Sequence, residues 1–412
     1  MQKQISKNRS IVKQNYDWKS QLQNRITTAD QLLQYVPNLP ESQIFRNLYQ
    51  NLEQFHELMA QMSSAFRFAV TPYYLGLANP ENERCPVLLQ ILPQKPEIND
   101  EVFSRPDPLA EEAHRPLPGL THRYPDRLLW YLSHNCAVYC RFCMRKRKVS
   151  RPESITGREN DEEVFKYIRK HQELKEVILS GGDPLSLSDE VLRSILGRLK
   201  EVKHLASIRI HTRMPVTLPQ RFTQTLCDIF KEAFPITIVT HFNHAIELTD
   251  EAALAVRNLR MSGALVLNQS VLLKGINDSL EAQEELLLGL LKIGIKPYYL
   301  HQCDEVHGVS HFRASIESGL KILRDLQGRN PGIAIPRYVL DLPGGGGKVP
   351  LENDYRLDAK GLVYENWAGD PFVIYRDSSN ADPDASVGRA DNADRIQSTN
   401  LEPGLRGQPG DY

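Results

Sequence analysis

The chain has 412 residues, 41 % apolar and 25 % charged, with a formal net charge of −1. That composition suits a globular protein of one large domain with appendages, or of two domains. With so little net charge, no global field draws the chain to nucleic acid or to a membrane surface, and no run reaches the roughly 20 apolar residues of a spanning helix. The opening MQKQISKNRSIVKQNYDWKS lacks the apolar core of a secretory signal, so a cytoplasmic setting is expected.

Residues 1–115 read as a mostly helical N-terminal region. TADQLLQYV and FRNLYQNLEQFHELMAQM carry apolar residues at helical spacing, and Thr28 or Asp30 is placed to cap the first. Residues 88–117, rich in Pro and acids, read as a long surface connection. A different rhythm follows. The short runs RLLWYLS, EVILS, ASIRIH, ITIVTHF, ALVLNQS and KPYYLHQ alternate with helical segments such as DEVLRSILGRLKEV and EAALAVRNLRMSG. That alternation predicts parallel βα units, and runs apolar at successive positions predict strands covered on both faces. Six units over residues 116–340 point to an α/β fold, a partial (βα)6 TIM-like barrel with chemistry at the strand C-termini. A doubly wound open sheet, whose ligands also bind at strand C-termini, is the alternative. Residues 341–378 form a C-terminal extension that begins with a glycine tract. Residues 379–412 are polar and rich in Pro and Gly, and disorder is expected there.

Three of the six cysteines, Cys136, Cys140 and Cys143, have the spacing C-x3-C-x2-C. Clustered thiolates select zinc or iron–sulfur centres. A structural zinc site is closed by four ligands. Three thiolates suit a [4Fe–4S] cubane with one iron left open, able to chelate S-adenosylmethionine (SAM) and to cleave it reductively to a 5′-deoxyadenosyl radical. A zinc knuckle lacking its fourth ligand is the rival reading. Phe142 is placed to sit beside the adenine, and Ser180-Gly181-Gly182-Asp183-Pro184 matches the segment that meets the SAM amino group in radical SAM proteins. Pro343-Gly344-Gly345-Gly346-Gly347-Lys348 departs from a phosphate-binding P-loop, with Leu at 342 and Val at 349. A lysine carried on such a loop can instead bond the aldehyde of pyridoxal phosphate (PLP), or the tract is a plain hairpin turn.

Taken in order, these motifs resemble lysine 2,3-aminomutases. The resemblance covers about residues 15–376. It rests on Trp18, Asn24-Arg25, Pro118 to Arg127, Tyr139-Cys140-Arg141 through Arg145, Gly-Gly-Asp-Pro, Thr240 to His244, Asn268-Gln269-Ser270, Gln302-Cys303-Asp304 and Asp341 through Lys348. It implies an isomerase that moves the α-amino group of L-lysine to carbon 3, giving β-lysine, with a [4Fe–4S] cluster, SAM and PLP as cofactors. It also implies Lys348 as the catalytic, PLP-bonding lysine, with Arg123 and Arg127 in the PLP pocket. Gly181, Gly182, Asp183, His241 and Gln269 fall on the SAM side, Arg145 on the substrate carboxylate, and Asp304 and Asp341 on the distal ammonium. Lys146 and Lys148 read as a solvated basic patch. An external electron donor such as flavodoxin or ferredoxin and a homo-oligomeric assembly are expected partners. Arginine, glutamate or a protein lysine of elongation factor P are the alternative substrates. Two departures stand out: no cysteine follows Cys303, where family members hold zinc between subunits, and Phe142 replaces a histidine common in the cluster loop.

Overall fold

The computed structural model describes residues 17–98, 104–149, 160–351, 355–358, 361–365 and 371–375. The tail expected to be disordered lies outside these residues. Nine strands form one sheet in chain order: β1 (Leu120–Tyr124), β2 (Arg127–Ser133), β3 (Glu176–Gly181), β4 (Ser207–His211), β5 (Ile236–Thr240), β6 (Leu265–Leu272), β7 (Lys296–Gln302), β8 (Arg337–Leu342) and β9 (Gly347–Pro350). β2 through β8 run parallel, each paired with the next. β1 and β9 pair antiparallel at the two edges. Among the described residues no ladder joins β9 to β1, so the barrel is partial. The six apolar runs are β2 to β7, and IAIPRYVLDLP supplies a seventh parallel strand, β8.

Helices Asp161–Lys170, Asp189–Lys200, Gln224–Glu232, Asp250–Met261, Leu280–Lys292 and Ile316–Leu326 fall between successive parallel strands. Five of them begin at a hydroxyl. Ser188, Thr223, Thr249, Ser279 and Ser315 each accept a hydrogen bond from the backbone N–H three residues on. Such a cap is worth about 1 kcal/mol. In β3 every residue after the first is buried, as expected of a strand covered on both faces.

In the N-terminal region, Thr28 is the cap of Ala29–Tyr35, in a capping box with Gln31. The longer apolar pattern splits into helices Gln43–Leu48 and Leu52–Ala65, because the Asn51 side chain accepts from the Gln54 N–H and starts a second helix.

Residues 88–97 are not part of the surface connection that composition suggests for 88–117, whereas the described residues 104–117 are mostly exposed or half-buried. Helix Pro86–Ile91 is almost wholly buried. Glu97 has a fully buried carboxylate that accepts from Arg141 (Nη2, 2.7 Å) and Lys146 (Nζ, 2.8 Å). Arg141 also donates to the Phe66 carbonyl, and Lys146 to that of Gly308. Burial pushes the Glu97 carboxyl up, yet the two cations overcome it and hold it below the usual range. Lys146 is therefore an interior residue, not part of a solvated patch. Replacing one member of a buried ion group leaves the others uncompensated. Glu97→Gln is expected to cost about 3–5 kcal/mol, read as a lower urea midpoint at unchanged m-value. A midpoint equal to wild type would refute this.

The chain divides into two compact units after Asn353. In the second, β10 (Tyr355–Asp358), β11 (Gly361–Glu365) and β12 (Pro371–Tyr375) form an antiparallel meander. Among the described residues no helix is long and apolar enough to cross a membrane.

Candidate active site

The loop after β2 carries the three clustered cysteines, and other segments hold its backbone. The Arg25 guanidinium donates to the Cys136 carbonyl, the Tyr139 N–H to Ala69 (3.0 Å) and the Arg141 N–H to Gln90 (2.9 Å). The end of β3 lies directly against this loop. Gly182 and Asp183 donate their N–H groups to Ser133 and Asn135. A Cβ on Gly181 would stand 2.6 Å from the Ser133 oxygen, and one on Gly182 would stand 2.6 Å from the Asn135 oxygen. Gly181 also has φ +125°, a conformation that side chains resist. The two glycines are thus required by close backbone packing. Asp183 accepts from Thr212 Oγ1 (2.9 Å) and from the N–H groups of Leu185 (3.0 Å) and Arg213 (2.8 Å). It braces the ends of β3 and β4, and burial pushes its carboxyl up to about 6.

Cys136, Cys140 and Cys143 line one cavity with about 1040 Å³ of atom-free space, together with Gly181, Gly182, Asp183, Arg213, His241 and Gln269. Arg213 Nη1 donates to Cys140 Sγ (2.7 Å) and Nη2 to Glu247 (2.8 Å). Burial, then the charge of Cys140, pushes the Cys143 thiol up to about 11, and burial also pushes the Cys136 thiol well above its ordinary range. A strongly cationic partner would draw off the protons of such thiols and satisfy them. Among the described residues, no three His, Cys, Asp or Glu side chains converge on a single ion position. A cubane asks for no such convergence, since each thiolate holds its own iron. His241 is half-buried with a buried, unpartnered Nε2, and desolvation lowers it to about 3, so it faces the cavity uncharged.

A second cavity, with about 1350 Å³ of atom-free space, is lined by Arg123, Tyr124 and Arg127 from the β1–β2 hairpin. Arg209 from β4, Tyr298 and Tyr299 from β7, Arg337 and Asp341 from β8, and Lys348 from β9 also line it. The glycine tract is a hairpin turn, and it also serves the site. It joins β8 to β9 in a register that sets Lys348 opposite Asp341, with Gly344, Gly345 and Gly347 at positive φ. The Lys348 N–H donates to the Tyr124 hydroxyl (2.8 Å). Its Nζ pairs with the Asp341 carboxylate, lies 3.3 Å from His301 Nδ1 and stands 5.4 Å from the Tyr299 ring centre. Asp341 also receives Arg123 Nη2 at 3.3 Å. Despite burial, His301 and Lys348 hold its carboxyl far below the usual range. Asp304 lines the first cavity, and burial followed by the charge of Asp341 pushes its carboxyl up to about 7. The two aspartates are near enough to interact, but here they do not share one cation. A lysine amine among arginines and tyrosines suits a planar, anionic aldehyde.

Met144, Arg145, His211, Gln269 and His301 line both cavities. They form the wall where a ligand can meet both chemistries. His211 and His301 are both lowered by burial, and each keeps a buried Nε2 without a partner.

Such a three-thiol cavity at the mouth of a parallel barrel defines a radical SAM protein, a class that carries a [4Fe–4S] cluster and binds SAM. The Radical SAM superfamily model matches residues 130–281, and the Lysine-2,3-aminomutase model matches residues 323–400. The chain is 44 % identical to a putative L-lysine 2,3-aminomutase of Aquifex aeolicus (strain VF5), over 86 % of this chain and 93 % of that protein. It is 40 % identical to the L-lysine 2,3-aminomutase of Clostridium subterminale, over 82 % and 78 %. It is 39 % identical to the glutamate 2,3-aminomutase of Clostridioides difficile (strain 630), over 86 % and 81 %. The chain belongs to the lysine 2,3-aminomutase family, whose members are isomerases.

The three cysteines and the residues expected to hold SAM, PLP or substrate each line one or the other cavity. His301, Arg209, Arg337 and Glu111 line a cavity too and were not singled out. Period-two alternation on β7 puts His301 on the face of Tyr299, a signal the sequence does carry. Glu111 has no such signal.

Proposed function

We propose that the protein is a SAM- and PLP-dependent 2,3-aminomutase that converts L-lysine to L-β-lysine. The meeting of a three-cysteine cavity with a lysine-bearing cavity across Arg145 carries this reading. Bound there, the cluster and SAM supply a radical able to take an unactivated hydrogen, while PLP supplies the conjugated carrier over which an amino group can shift. Lys348 is the residue that bonds PLP, and Arg123 and Arg127 hold its phosphate through planar donor forks. Gly181, Gly182, Asp183, His241 and Gln269 form the SAM side of the first cavity. Arg145 takes the substrate carboxylate. Asp304 and Asp341 take the distal ammonium, and the unpaired, upward-shifted carboxyl of Asp304 is a group that gains from a cation. A substrate with a second carboxylate would meet these acids unfavourably, which favours lysine over glutamate although a glutamate enzyme is a relative of similar identity. A homo-oligomer in the cytoplasm, reduced by a flavodoxin or ferredoxin, completes the reading.

Anaerobic incubation with SAM, PLP, reductant and a panel of amino acids tests it, with β-lysine as the expected product. Preferred turnover of arginine or glutamate would overturn the lysine assignment. Asp341→Asn removes one of two carboxylates on the ammonium, at a cost on the order of 3 kcal/mol, or roughly a hundredfold in kcat/KM for lysine. Normal lysine turnover by this variant would count against the assigned role.

A further inference from the structure

Glu111 lies 34 residues from Arg145 in the chain, yet its carboxylate accepts from the Arg145 side chain. Arg145 presents a planar fork at the wall between the two cavities, with its side chain 16 % exposed. One part of that fork is already engaged. Nε donates to Glu111 Oε1 at 3.1 Å, and Nη1 donates to Ser180 Oγ at 3.2 Å. A guanidinium gripped at two of its nitrogens keeps its plane, and Nη2 remains to meet a ligand. A lone carboxylate beside the clamp would repel an incoming carboxylate, but Glu111 is not alone. Its other oxygen lies 3.2 Å from Lys148 Nζ and 3.4 Å from Arg147 Nη2. Arg147 further pairs with Asp107 and Glu112, Lys148 with Glu112, and Glu112 with Arg115. Three carboxylates thus face four cations, counting Arg145, and the cluster as a whole can still accept one anion. The Glu111 side chain is only 7 % exposed, and it lines the second cavity.

We propose that Glu111, neutralised by Arg147 and Lys148, is the positioning residue that sets the Arg145 guanidinium for the α-carboxylate of the amino-acid substrate. This rests on the reading of Arg145 as the carboxylate clamp. Lys148 and Arg147 are then part of the substrate site's scaffold, not a solvated patch. Glu111 acts on the ligand's carboxylate and on no other part of it, which separates this role from a merely structural one.

The test uses holoenzyme without reductant, which binds substrate but does not turn over. Dissociation constants are measured by calorimetry for L-lysine and for L-lysinamide, which keeps both amines and lacks the carboxylate. Wild type should bind lysine more tightly than lysinamide. In Glu111→Ala the lysine constant should rise about tenfold or more, the scale of one charged hydrogen bond, while the lysinamide constant stays as in wild type. Glu111→Gln keeps an acceptor for Arg145 Nε but turns an amide toward Lys148 and Arg147, so it should fall between the two. Equal weakening of both ligands in Glu111→Ala, or no weakening of lysine, overturns the proposal. If wild type itself binds lysine and lysinamide alike, the clamp reading of Arg145 fails first, and the two failures are thereby told apart. Cluster absorbance and the thermal midpoint, recorded alongside, exclude a general loss of fold as the source of the shift.

Discussion

Cys140→Ala, reconstituted anaerobically, is expected to cleave SAM no faster than background. Cys140 lies at the centre of the loop, and its sulfur takes the Arg213 guanidinium at 2.7 Å within a network that includes Glu247. An alanine there removes one of three thiolates, and two thiolates do not hold a cubane with a free coordination position. Iron and acid-labile sulfide content should fall with the activity. Cys227→Ala is the control. That thiol is buried in helix Gln224–Glu232 and behaves as a small apolar residue, so its loss should leave SAM cleavage near wild type. Full SAM cleavage by Cys140→Ala would sink the radical assignment.

The second large effect is that of Lys348→Ala, for which lysine turnover should fall on the order of 10³-fold or more, as expected when a covalent group is lost. Borohydride treatment of wild type with PLP should fix the cofactor on the peptide that contains Lys348, and the variant should take no label. The geometry makes this specific. Lys348 enters the second cavity among five arginines, with its amine on Asp341 and near His301. Lys296, by contrast, donates to the backbone carbonyls of Ile333 and Ile335 and does not line the cavity. A label found on Lys296 would refute the assignment. SAM cleavage measured without substrate should survive in Lys348→Ala, because the cysteine loop does not depend on β9.

Local patterns made much of the barrel legible. EVILS and ITIVTHF are apolar at successive positions because β3 and β5 are covered on both faces, and Ser188 and Thr249 announce helices by capping them. The cysteine spacing and the glycine tract are legible for a similar reason, since their chemistry is set by neighbours a few residues apart. Glu97, Glu111 and Lys146 escaped because their partners are distant in the chain. Glu97 lies 44 residues from Arg141, and Glu111 lies 34 from Arg145. Hydropathy scores an acid as surface, and only the fold reveals that a cation shares its burial. The seventh parallel strand lies in the run IAIPRYVLDLP, and nothing in that run alone states which neighbour it pairs with.

The gap between β9 and β1 has a mechanical consequence. Elsewhere in the sheet each strand is fastened to the next by a backbone ladder. At this seam the fastening comes from side chains: Arg123 on Asp341, and the Tyr124 hydroxyl on the Lys348 N–H. A cofactor bonded to Lys348 and gripped by Arg123 and Arg127 would act as a rivet across the seam, tying one edge of the sheet to the other. Amide hydrogens of β9 should then exchange more slowly in loaded protein than in empty protein, while those of the ladder-bound β4 and β5 keep their pace.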